Sequence, residues 1–184
     1  SPVSQLLKRN TQAWESNQLQ IIQKNANKLL YLVNQLIDLR RTELGVFSLK
    51  VEMYSPAMQI QDILEMFRPL ANQHSIDFQF KNNIGTEQLA YDMRYLDIML
   101  SNLLSNAFKF CADEDSITIS LSKNKDMMQI SVADTGRGID EKNKAKIFDR
   151  FYKINKGDKG TGVGLSLVKQ LVEQHHGHIE VEST

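Results

Sequence analysis

The run Asn102-Leu-Leu-Ser-Asn106-Ala-Phe-Lys109-Phe110 decides the reading of this chain, because two later segments complete it. These are Asp134-Thr-Gly136-Arg-Gly138-Ile139 and Gly160-Thr161-Gly162-Val163-Gly164-Leu165. In the first run, Asn102, Asn106 and Lys109 stand at i, i+4 and i+7, so a helix places them on one face. Leu103, Leu104 and Phe108 serve a core on the other side. An asparagine carbonyl is a neutral hard oxygen, suited to Mg²⁺ whose remaining ligands are phosphates and water. A lysine is a point charge for phosphate. A solvated polar face would have the same composition, but asparagine is a poor helix former, and two of them one turn apart need a reason.

Asp134 ends an alternating stretch whose apolar members are Ile130 and Val132. A carboxylate there can accept from an exocyclic amine such as that of adenine. The glycines after it let the backbone approach a flat ligand. An ordinary Asp–Gly turn looks alike. The third segment leads into an apolar helix containing Leu165, Leu167, Val168, Leu171 and Val172. Free N–H groups and the helix dipole make such a start an anion site. It lacks the Gly-Lys-Ser/Thr of a P-loop and the spacing and βαβ setting of a dinucleotide fingerprint. A flexible linker before a helix is the plain alternative. Three such pieces in this order are a much rarer coincidence than any one of them.

The 184 residues include 22 basic and 22 acidic side chains. That balance disfavours a nucleic-acid or membrane-surface binder, which would carry a basic stripe. The single cysteine, Cys111, excludes an internal disulfide framework and fits a reducing compartment. No run of ~18 apolar residues and no signal-peptide pattern is present.

Residues 1–43 contain no glycine and read as helical. Ser1 to about Thr11 is expected to end one helix, with Val3, Leu6 and Leu7 on one side. Ser16 is a plausible N-cap for a second helix running to about Thr42. Ile22, Ala26, Leu29, Val33, Leu36 and Leu39 recur every three or four residues, and Ile21, Leu30, Leu32 and Ile37 widen the stripe. So broad a face suits a hairpin that pairs with a second copy as a four-helix bundle. Packing on the following domain is the other option. Gly45 breaks the pattern. Beyond it, strands are expected at Phe47–Val51, Ile76–Phe80, Gln88–Tyr91, Ser116–Lys123, Met127–Ala133 and His178–Val181. Helices are expected from Pro56 to about Gln73, from Tyr95 to Phe110 and from about Val163 to His176. The class is α+β: a helical hairpin over residues 1–44, then a two-layer α/β sandwich over 45–184.

The set of motifs resembles the histidine kinase branch of the ATPases shared with gyrase, Hsp90 and MutL, often called GHKL or Bergerat ATPases. Asn102–Phe110 is similar to the family's N box, Asp134–Ile139 to its G1 box, Phe148-Asp-Arg150-Phe151-Tyr152 to its F box, and Gly160–Leu165 to its G2 box. Leu29–Glu43 resembles the second helix of the dimerisation and histidine-phosphotransfer hairpin, in wording closest to large hybrid sensors.

The resemblance implies Mg-ATP as cofactor. Asn106 would ligate Mg²⁺, Asn102 would support the metal side, Lys109 would meet the phosphates, and Phe110 would lie against the nucleoside. Asp134 would accept from the adenine amine, with Gly136, Gly138 and Ile139 shaping its pocket. Arg150 and Lys153 are candidate phosphate contacts. Gly160, Thr161, Gly162, Val163, Gly164 and Leu165 would form the lid. It further implies a homodimer through the N-terminal helices and a response-regulator receiver partner, in cis or in trans, with no nucleic-acid partner. The setting implied is a cytoplasmic domain of an inner-membrane sensor, attached to the membrane only through parts outside this chain.

Departures are visible. The family's acceptor histidine sits in an H box on the first hairpin helix, followed by an acidic residue. None of His74, His175, His176 and His178 has that context, so the H box is expected upstream of Ser1, and this chain alone is not expected to phosphorylate itself. The cluster His175–His178 fits a helix end better than a metal site. The lid is short, about eight residues between Tyr152 and Thr161, and a further strand is expected beyond Thr184. Two other readings compete. One is a nucleotide-holding module that signals without transfer. The other is a gyrase-like ATPase, which needs an acid on the N-box helix to activate water; none lies between Asn102 and Phe110. A serine kinase of the anti-sigma type would not need the hairpin.

Overall fold

The computed structural model describes residues 49–125, 127–155, 157 and 160–183. The expected helical hairpin and its dimer face lie outside the described residues. Five strands and four helices follow one another along the rest. β1 (Glu52–Tyr54) leads to α1 (Pro56–Gln73), β2 (Asp77–Asn82), β3 (Leu89–Tyr91) and α2 (Met93–Phe110). Then come β4 (Ser116–Asn124), β5 (Met127–Asp134), the short α3 (Glu141–Lys144) and α4 (Gly164–Gln174).

β4 reads Ser-Ile-Thr-Ile-Ser-Leu, and its alternation is realised: Ile117, Ile119 and Leu121 are fully buried. It sits in the middle of a three-stranded sheet, parallel to β2 and antiparallel to β5. The register sets Ile117 opposite Asp134, which brings that carboxylate to the end of the sheet. β2 therefore pairs across a long connection with β4, not with the next strand in sequence. β3 pairs instead with β1, antiparallel, as a separate two-stranded ribbon.

Helices α1 and α2 cover the inner face of the sheet. Ile60, Ile63 and Leu64 of α1 meet Leu96, Leu100, Leu104 and Ala107 of α2 in one core with the β4 side chains. Burying each such aliphatic side chain stabilises the fold by roughly 2 kcal/mol. Phe108 closes the core edge, stacked on Phe67 at 5.6 Å and edge-on to Phe78 at 5.3 Å between centroids. α4 packs on α2 through Leu167, Val168 and Leu171, all buried.

The helix ends are set by polar groups. Asp92 caps α2: its Oδ1 accepts from Arg94 N at 3.1 Å. The same buried carboxylate accepts from Arg94 Nε and Nη2 at 3.0 and 2.6 Å, and from Lys50 N at 2.8 Å. Close by, Tyr91 O–H donates to Gln59 Oε1 at 2.8 Å, and Gln59 Nε2 donates to Met93 O and Asp97 Oδ1 at 2.7 and 2.6 Å. Burial, then the nearby Asp97 charge, pushes the Tyr91 hydroxyl up to about 12, so it stays a donor.

Two expected strands are corrected. In the predicted strand Phe47–Val51, the described residues 49–51 lie outside any strand, and the ribbon begins at Glu52. Lys50 N–H is taken by the Asp92 carboxylate, so it cannot serve a ladder. The expected strand His178–Val181 joins no ladder either. That stretch is held beyond its end instead: Ile139 N donates to Ser183 Oγ, and Lys144 Nζ to Ser183 O, both at 2.8 Å.

Candidate nucleotide site

The site grows from the C-terminal half of α2. Asn102 is buried; its Nδ2 donates to Ile98 O at 2.8 Å, which orients the amide within its own helix. Its other end meets α4: a Cβ built on Gly164 would stand 2.6 Å from Asn102 Oδ1. Only glycine allows that approach, so the glycine that opens α4 is matched to an asparagine of α2. Asn106 lies one turn further along the same face, half-buried. Lys109 is exposed, and its Nζ sits 4.3 Å from the Phe110 ring centroid. The same nitrogen is 3.4 Å from where a Cβ on Gly160 would be, so the lysine faces the glycine-rich loop.

The turn after β5 closes against the end of α2. A Cβ on Gly136 would stand 2.6 Å from Phe110 O and 2.9 Å from Asp134 Oδ1. Gly136 N donates to Asp134 Oδ1 at 3.0 Å. A carboxylate has about four acceptor positions, so this bond aims Asp134 without exhausting it. Arg137 follows, with N donating to Phe110 O at 3.4 Å and its guanidinium 4.5 Å from the Phe110 centroid. Gly138 is left-handed at φ +70°, and Ile139 is half-buried and tied to Ser183.

The stretch between α3 and α4 carries Arg150 and Lys153, both exposed. Phe151, between them and itself exposed, adopts φ +62° while its N donates to Gly162 O at 2.8 Å. Tyr152 O–H donates to Asn143 Oδ1 at 2.8 Å, and Asn143 is buried. The F-box stretch is thus tied on one side to α3 and on the other to the glycine loop. Thr161 Oγ1 accepts from Val163 N at 3.4 Å; Val163 is buried at the start of α4, and Leu165 is half-buried within its first turn.

Contacts therefore join Asn102 to Gly164, Lys109 to Gly160, and Phe110 to Gly136, which links all three sequence motifs. Cys111, next to this cluster, has its thiol pushed up to about 11 by burial and then by the charges of Asp134 and Asp115. It stays protonated at neutral pH, which argues against a nucleophilic part for it. Arg137 and Asn143 were not among the residues expected from sequence. Asn143 stands in the charged run Glu141-Lys-Asn-Lys, and no local signal separates it from its solvated neighbours. Among the described residues, no group of three or more His, Cys, Asp or Glu side chains could hold a metal ion. A metal here would depend on Asn106 together with oxygens of a ligand. No helix among them is long and apolar enough to cross a membrane.

A family model described as "Histidine kinase-, DNA gyrase B-, and HSP90-like ATPase" matches residues 91–184. The chain belongs to this ATPase family. It is 33% identical, over 99% of its length, to hybrid signal transduction histidine kinase D of Dictyostelium discoideum, of which it covers 12%. It is 36% identical, over 89% of its length, to the circadian input-output histidine kinase CikA of Synechocystis sp., of which it covers 22%. The chain thus spans less than a quarter of these curated relatives. Among solved structures, full-length ShkA in complex with AMPPNP superimposes with a TM-score of 0.70 at 26% identity, covering 79% of this chain and 30% of that one. The ATPase-type α/β domain, with histidine kinases as relatives, is the architecture described above.

Proposed function

We propose that this chain binds Mg-ATP between the end of α2, the turn after β5 and the loop before α4. In the protein it belongs to, the γ-phosphoryl group would pass to a histidine of the N-terminal hairpin, and then to a receiver-domain aspartate. The observation that carries the reading is the convergence on Lys109 and Phe110 of two glycines, Gly160 and Gly136, from segments far apart in sequence. Asn106 would hold Mg²⁺ through its Oδ1, with Asn102, fixed by its bond to Ile98 O, as support. Mg²⁺, when bound, neutralises phosphate oxygens. Lys109 adds charge on the lid side, Phe110 offers a ring face to the nucleoside, and Asp134 is aimed to accept from an adenine amine. Arg150 and Lys153 are further phosphate candidates.

The chain's own residues position and neutralise; they supply no covalent step. Hydrolysis is the less favoured outcome. The acid of α2 that the structure places, Asp97, is bound to Gln59 Nε2 near the other end of the helix. A non-transferring nucleotide module is the second reading.

The test is complementation. This chain, γ-labelled ATP and Mg²⁺ are mixed with the full-length parent protein carrying Asn106→Ala. Acid-labile label on the parent is expected, and none on the chain alone. Binding of ATP with no label on the parent would leave the non-transferring module standing and sink the kinase reading.

A further inference from the structure

The end of α2 and the turn after β5 are joined by a carboxylate that lies outside all of the site's motifs. Asp115 precedes β4, and its Oδ2 accepts from Ala112 N at 2.7 Å, just beyond the end of α2. Its Oδ1 accepts from the Thr135 hydroxyl at 3.0 Å, next to Asp134. Thr135 is tied to the start of β4 as well: its Oγ1 accepts from Ser116 N at 2.9 Å, and its N donates to Ser116 O at 3.1 Å. Asp115 is itself anchored, since its O accepts from Asp77 N at 2.9 Å at the start of β2. Hydrogen bonds to a carboxylate are stronger than those between neutral groups, and here one carboxylate places an oxygen on each side of the site. The turn it holds has little slack. A Cβ on Gly136 would stand 2.6 Å from Phe110 O and 2.9 Å from Asp134 Oδ1. A movement of Thr135 is therefore passed to its neighbour Asp134, whose Oδ1 is aimed by the Gly136 N–H.

We infer that Asp115, through the Thr135 hydroxyl, is a positioning residue for Asp134: it holds that carboxylate where a 6-amino purine can donate to it, and so sets the choice between adenine and a 6-oxo purine. The inference rests on the Mg-ATP reading above. A 6-oxo group brings an acceptor where the amine brings a donor, so the preference depends on how firmly Asp134 is held.

The test titrates ATP and inosine triphosphate, each with Mg²⁺, into the chain and into its Thr135→Val, Thr135→Ser and Asp115→Ala variants. The two nucleotides differ in the 6-substituent of the base and carry the same phosphates. The unaltered chain should prefer ATP. Thr135→Val and Asp115→Ala should each weaken ATP about tenfold, the worth of one hydrogen bond to a charged group, and leave inosine triphosphate within about twofold. Thr135→Ser keeps the hydroxyl and should restore ATP affinity. Equal losses for the two nucleotides would mean that the bond only supports the fold, and would overturn the inference. So would unchanged ATP affinity in Thr135→Val, a failed rescue by Thr135→Ser, or an unaltered chain that binds both nucleotides equally. If the unaltered chain binds neither, the nucleotide reading itself fails, and that outcome is visible before any substitution is made. Unliganded unfolding midpoints within about 2 °C of each other show that the variants are folded. If Asp115→Ala falls outside that range, Thr135→Val, close to threonine in shape, decides alone.

Discussion

The two ends of helix α2 use polar residues in opposite ways. At its start, Asp92, Arg94, Gln59, Tyr91 and Asp97 satisfy one another, and Asp92 is almost wholly enclosed. At its finish, Asn106 is half-buried, Lys109 is exposed, and Asp134 across from them is exposed with one bond to its own turn. Buried polar groups that close on each other hold a fold together, because an unmet partner would be costly. Polar groups gathered at a surface around glycine backbone keep valences for a ligand. The contrast separates residues whose loss should cost stability from residues whose loss should cost binding.

The largest expected effect is at the second end. Asn106→Ala should weaken Mg-ATP by about a hundredfold or more, roughly 3 kcal/mol, with the unfolding midpoint little changed. Titration calorimetry with a parallel thermal melt checks both halves. Retained ATP affinity would remove Asn106 from the metal side. Next comes the first end. Asp92→Ala deletes a helix cap and leaves Arg94 and Lys50 N without their acceptor, so stability should fall by about 2 kcal/mol. Its ATP affinity, measured well below the melting temperature, should stay within about twofold of the unaltered chain. A large loss of binding would mean that the two ends are coupled through α2 and that the separation drawn here is wrong.

Gly164→Ala probes the seam between the two classes. The new methyl group would meet Asn102 Oδ1 at 2.6 Å, and Asn102 is held by its bond to Ile98 O. The asparagine must move or the start of α4 must shift. ATP affinity should drop by about tenfold, with a smaller change in stability. Gly164→Ser, equally unable to fit, should behave alike; normal binding in both would show that the contact relaxes without consequence.

Much of this was legible in the sequence, for identifiable reasons. α2 announced itself twice, through the periodicity of the run from Tyr95 to Phe110 and through the polar motif on one of its faces. β4 alternated without interruption. The motif residues stood out because each carries a chemistry, amide, lysine or carboxylate, at a helix or strand end. What could not be read depends on partners far along the chain. Residues 49–51 alternate as a strand would, yet Lys50 N–H goes to a carboxylate 42 positions later. His178–Val181 has strand composition, but the contacts that secure it are those of Ser183 with Ile139 and Lys144. Arg137 resembled turn filler until the fold set it beside Phe110. Asn143 resembled part of a solvated, charged loop until Tyr152 was found donating to it.

The smallest expected effect is in acid, and it tests the closed end alone. Burial by itself would raise the Asp92 pKa; bonds from the Arg94 side chain, Lys50 N–H and Arg94 N–H outweigh it, so the carboxyl is held below its usual value. A lowered folded pKa means stabilisation that is complete above the unfolded value of about 3.9 and is lost as pH falls through the folded value. The stability gap between the unaltered chain and Asp92→Asn should therefore stay level from pH 7 to about 5 and shrink below about pH 4. Denaturant unfolding across that range measures it. A gap that is constant to pH 3 would mean that charge at Asp92 contributes nothing and that its cap geometry alone holds the start of α2.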